Sequence, residues 1–84
     1  MTAEPLRILL FAQVSDAAGV SEVHLEGPAP PTVAGVLDRL TERYPELESW
    51  LPSTAVAVNE AYVDRSHPVN PGDVIALIPP VSGG

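Results

Sequence analysis

The sequence predicts an α+β fold: a mixed sheet of about five strands, one main helix packed across it, and an extended C-terminal tail. Three observations carry this reading. Two apolar runs, residues 6–11 and 74–78, lie near opposite ends of the chain and read as neighbouring central strands. A strong amphipathic helix signal begins at Thr32, between them. The chain has 84 residues, which limits it to one domain, and a domain this small buries only about 60–65% of its unfolded surface.

The elements follow in order. Leu6, Arg7, Ile8, Leu9, Leu10 and Phe11 are branched and apolar enough for a strand, expected to be central and covered on both faces. Residues 13–19 are small and polar, a short helical turn that Gly19 ends in the left-handed conformation. Residues 22–26 alternate strictly, turning Val23 and Leu25 inward and Glu22, His24 and Glu26 to water. Residues 27–31, with three prolines, permit neither ladder nor helix. Thr32 then caps a helix whose stripe is Val33, Val36, Leu37, Leu40 and Tyr44, with Asp38, Arg39, Glu42 and Arg43 opposite; Arg39 and Glu42 are spaced to pair weakly. Pro45 stops it. In the short segment that follows, Leu47, Trp50 and Leu51 cover one end of the core. Residues 55–59 and 61–63 flank a tight turn near Asn59-Glu60. Asn70-Pro71-Gly72-Asp73 suits a type II turn leading into the last strand, and Pro79-Pro80 ends it.

Pairing the two end strands in mid-sheet, with the helix across one face, gives the β-grasp architecture. The domain organisation is a β-grasp domain over residues 1–78 and an extended tail over residues 79–84.

Composition narrows the chemistry. Four basic side chains against eleven acidic ones give a formal charge of −7, and all four bases are arginines: Arg7, Arg39, Arg43 and Arg65. This balance disfavours nucleic acid and anionic membranes, which need cationic side chains, and favours a basic protein partner. With no cysteine, a disulfide, a thiolate zinc or iron–sulfur site and a cysteine nucleophile are all excluded, and no bound metal or cofactor is expected. No apolar run approaches the roughly 18 residues of a membrane span. Residues 1–13 do not read as a secretory signal, so a cytoplasmic location is expected. His24, on the wet side of its strand, and His67, before Pro68, read as surface and turn residues, and the serines and glycines form no nucleophile or phosphate motif. No self-contained active site emerges.

The tail, Pro79-Pro80-Val81-Ser82-Gly83-Gly84, is different. A Gly-Gly end arises by chance in about one chain in 200. Two prolines make the exit extended and semi-rigid, and six residues reach at most about 20 Å. Gly83 and Gly84, lacking a Cβ, can thread a channel closed to other dipeptides. Such an arm brings a carboxylate into another protein's active site. A carboxylate must be activated before it reacts, most simply as an acyl-adenylate made by an ATP-dependent partner. The acyl group then passes to an amine or is exchanged for sulfur.

Residues 9–14 (LLFAQV), Ala57-Val58-Asn59, His67-Pro68, residues 70–74 (NPGDV) and the Pro-Pro-Val-Ser-Gly-Gly ending resemble the MoaD family, the small subunits of molybdopterin synthase. The resemblance covers essentially the whole chain. It implies a ubiquitin-like sulfur carrier without a catalytic site of its own. Its Gly84 would be adenylated by a MoeB-like enzyme using ATP, then converted to a thiocarboxylate with a sulfur donor system. Its tail would enter a MoaE-like large subunit that turns cyclic pyranopterin monophosphate into molybdopterin. It also implies an apolar docking patch, placed by position at Phe11, Tyr62 and Ile78. The residues leave open a sulfur carrier for thiazole or cysteine biosynthesis, a ubiquitin-like protein modifier, and an interaction domain with an inert tail.

Overall fold

A computed structural model of the protein describes residues 5–26 and 30–80. In the first strand, β1 (Leu6–Leu10), Leu6, Ile8 and Leu10 are buried, Leu9 is half-buried and Arg7 is exposed. The alternation corrects the expectation that this strand is covered on both faces. It is central, but one face is open, and Arg7 at an alternate position is the residue that declares it. After Phe11, α1 (Ala12–Ala18) turns the chain back and ends at Gly19, whose φ of 79° is the left-handed cap. The edge strand β2 (Glu22–Leu25) follows with Val23 and Leu25 inward.

The main helix, α2 (Val33–Arg43), starts where Thr32 Oγ1 accepts a hydrogen bond from the Gly35 N–H, and it buries Val33, Val36, Leu37 and Leu40. Its N-terminus is braced by residues far along the chain. The Val33 N–H donates to the His67 carbonyl at 3.0 Å and the Ala34 N–H to that of Arg65 at 2.9 Å. Two 3₁₀ turns, Pro45–Leu47 and Leu51–Ser53, bring Leu47 and Leu51 against the core as expected. The Arg65 guanidinium donates to the Leu51 and Thr54 carbonyls, holding the second turn.

Three strands complete the sheet: β3 (Ala55–Val58), β4 (Ala61–Val63) and β5 (Val74–Ile78). The order is β2-β1-β5-β3-β4, with β1 and β5 parallel and the other neighbours antiparallel. The β1–β5 register, Arg7 beside Val74 through Leu10 beside Leu77, places Ile8, Leu10, Ile75 and Leu77 together under α2. The helix covers one face only. The opposite face is open, and its composition decides what can bind there.

Candidate functional site

Across the open face the register sets three rows. One holds Phe11 and Ile78, with Ala55 beside Ile78. The middle row runs Glu22, Leu9, Ala76, Ala57, Tyr62. The third runs His24, Arg7, Val74 and on to the Asn59-Glu60 turn. Ala57 and Ala76 are small, so the floor sinks between larger neighbours and leaves a depression of about 560 Å³. Phe11, Leu9, Tyr62 and Ile78 form its apolar walls, with Arg7, Asn59 and Glu60 at the polar end. Phe11 is 45% exposed and Tyr62 71%, and these are the exposed large apolar side chains among the described residues. A contiguous apolar surface of this kind marks an interaction site more often than a random one.

The three patch residues expected from the sequence therefore line one depression. Leu9, Ala57, Val74 and Ala76, which form its remaining apolar lining, were missed. The signal for them was Arg7: a charge inside an apolar run reveals an alternating strand, and alternation puts Leu9 and Phe11 on the same side as Arg7.

Charge at the two flanks differs. On one side Arg7 Nε lies 3.0 Å and Nη2 3.3 Å from the two Glu22 carboxylate oxygens, and His24 Nε2 lies 2.6 Å from Glu22 Oε2. The hydrogen bond from Arg7, then that from His24, holds the Glu22 carboxyl below its usual range. On the other side a two-residue turn joins β3 to β4, with φ of 50° at Asn59 and 73° at Glu60. Asn59 is locked to β5: its amide donates to Asp73 Oδ1 at 3.1 Å, and its Oδ1 accepts from the Val74 N–H at 3.0 Å. Gly72, with a φ of 84°, closes the turn before β5, where the Asp73 N–H donates to the Asn70 carbonyl at 3.1 Å.

The tail begins at the same end of the sheet as Phe11 and Ile78. Pro79 is buried, so the first tail residue packs against the body rather than standing free, and Pro80 is exposed. Val81, Ser82, Gly83 and Gly84 lie outside the described residues. Among the described residues no group of His, Asp and Glu could hold a metal ion, and no helix is long and apolar enough to cross a membrane.

Comparison with known proteins places this geometry. The model of the ThiS family matches residues 8–84, nearly the whole chain. The chain belongs to the ThiS family. It is 37% identical over 79 residues to the molybdopterin synthase sulfur carrier subunit of Arabidopsis thaliana, covering 94% of this chain and 82% of that one. Among solved structures it is similar to SAMP1, small archaeal modifier protein 1, of Haloferax volcanii, at 31% identity and a TM-score of 0.86 over 95% of this chain and 99% of that one. It is also similar to a chain in the complex of subunits 1 and 2 of molybdopterin-converting factor from Helicobacter pylori, with 25% identity, a TM-score of 0.67, and coverage of 95% and 99%. The β-grasp fold of this family member is thus the ubiquitin-like one, with the open sheet face and the tail exit side by side.

Proposed function

We propose that this ThiS-family chain is the sulfur carrier of a molybdopterin synthase, working in the cytoplasm. The observation that carries the reading is its likeness to a molybdopterin synthase sulfur carrier subunit along 94% of its length. The solved complex of subunits 1 and 2 of the Helicobacter pylori factor supports a large-subunit partner. In this reading the Gly84 carboxylate attacks the α-phosphate of ATP on a MoeB-like enzyme, forming an acyl-adenylate and releasing pyrophosphate. A sulfur nucleophile from the donor system displaces AMP and leaves a thiocarboxylate. The tail carries that sulfur into a MoaE-like subunit, where the sulfur bonds to a carbon of cyclic pyranopterin monophosphate and water cleaves the acyl–sulfur bond, returning the carboxylate. The chain needs no cofactor of its own for this, because the bases and the pterin pocket belong to the partner.

The open sheet face is the docking surface in this reading, with Phe11, Tyr62 and Ile78 as anchors. Burying aromatic and branched side chains supplies the affinity. Pro79, buried at the end of β5, starts the tail beside that surface. The likeness to a small archaeal modifier protein favours a second reading, in which the activated glycine passes to a lysine amine of a target protein.

Intact mass after co-expression with an activating enzyme and a sulfur donor separates the two. A carrier gains one oxygen-to-sulfur increment and, with the large subunit, produces molybdopterin from its precursor. A modifier appears as a branched conjugate on target lysines. Deleting Gly84 abolishes loading and leaves the melting temperature unchanged. An unchanged mass for the full chain in that system refutes the carrier reading.

A further inference from the structure

We infer that Glu60 is a charge-reading contact, whose carboxylate meets a lysine or arginine on the protein that covers the apolar depression. The inference rests on the docking reading above and adds the chemistry of the partner's surface.

Backbone conformation is the first observation. Asn59 and Glu60 both have positive φ, 50° and 73°, the pattern of a two-residue hairpin turn that favours Asn followed by Gly. Asn at the first position is accounted for, since asparagine tolerates this region and its side chain makes two hydrogen bonds to the start of β5. Glu at the second position has no such account. A side chain there is strained where glycine is not, and the carboxylate makes no hydrogen bond or ion pair with another described residue. Strained non-glycine residues cluster at binding and switch sites; Ala12, with a φ of 50°, shares the strain, so the weight of the inference falls on where Glu60 stands and on its charge.

Placement and charge supply the rest. Glu60 lines the depression near Tyr62. On the opposite flank Arg7 is already neutralised by Glu22. Close to Glu60, both oxygens of the Asp73 carboxylate are occupied, by Asn59 and by the Asn70 N–H. Among the described residues, Glu60 is therefore the charged group on the depression left for a partner. A second copy of this chain is a poor occupant, because each carries a formal charge of −7 and like charges repel. An apolar floor beside a free carboxylate fits a protein presenting an apolar projection with a lysine or arginine next to it.

The test uses the full chain and the molybdopterin synthase large subunit of the same organism, with Kd and association rate measured for wild type, E60Q, E60K and E60G. At about 10 mM ionic strength, where screening is weak, E60Q and E60G should bind about two- to five-fold more weakly, mainly through slower association, and E60K more weakly still. At about 1 M the variants should converge on wild type. E60G should melt at or above the wild-type temperature, because the strain is gone, so stability and affinity move in opposite directions. Wild-type affinity and salt dependence in E60Q and E60K, while Tyr62→Ala loses binding, overturn this inference alone. A wild-type chain that does not bind the large subunit overturns the docking reading with it.

Discussion

Replacing Tyr62 by alanine separates docking from folding. The side chain stands on edge strand β4, opposite Ala57 on β3, and is 71% exposed. An aromatic side chain buries about 150–250 Å² when fully enclosed, so roughly 110–180 Å² of Tyr62 is still free to be covered. At about 25 cal/mol per Å² that surface is worth at most about 2.5–4.5 kcal/mol to a partner. Ordering the side chain costs about 0.5–1.5 kcal/mol of this. Tyr62→Ala should therefore weaken association with the large subunit by about 2 kcal/mol, or roughly 30-fold. Folding should hardly notice, since the ring packs on little within the chain; the loss of strand preference is at most about 1 kcal/mol. Titration calorimetry against the large subunit, with thermal melts of the free chain as control, reads both numbers. A Kd within twofold of wild type refutes the assignment of this face. A melting temperature lower by 10 °C or more, on the order of 2 kcal/mol for a domain this small, shows instead that the ring is structural.

Two further predictions concern stability. An ideal Cβ on Gly35 would lie 2.8 Å from the Pro30 Cβ, so Gly35→Val should overpack this contact by about 1–3 kcal/mol and lower the melting temperature by about 5–15 °C; an unchanged melt refutes the close approach. Glu22 is held acidic by Arg7 and then His24, and Asp64 by the Ser66 hydroxyl and then the Ser66 N–H. Both pKa values are depressed in the folded state. Their contribution is therefore present above the ordinary carboxylate range and lost as pH falls through the folded values. Melts below about pH 4 should drop more steeply for wild type than for the Glu22→Gln, Asp64→Asn double variant, and equal slopes would remove both groups from the acid response.

Much of the fold is legible because local pattern and tertiary role agree. Strict alternation over Glu22–Leu25 needs one dry and one wet face and receives both. The stripe from Val33 to Leu40 is buried throughout, and Gly19 and Gly72 adopt the positive φ their turns require. The first strand resisted. Leu6, Ile8 and Leu10 alternate with Arg7 and Leu9, yet the apolar Leu9 makes the run look covered on both sides. Leu9 lines the depression on the open face and not the core, and a single sequence does not separate those two placements.

The sequence by itself determined the element order, the core stripe of the helix, the cysteine-free and lysine-free composition, and the Pro-Pro-Val-Ser-Gly-Gly ending. These are local or compositional properties. Tertiary structure alone decided which strand positions meet. Parallel pairing of β1 with β5 and antiparallel pairing of β5 with β3 bring Leu9, Ala76 and the Ala57–Tyr62 hairpin pair into one row, although Leu9, Ala76 and that hairpin lie far apart along the chain. The antiparallel β1–β2 pairing neutralises Arg7 with Glu22, and the Glu60 carboxylate has no ion pair among the described residues. The physical reason is that a one-residue shift of register turns every side chain of a strand to the other face, so the surface exists only once long-range pairing has been chosen.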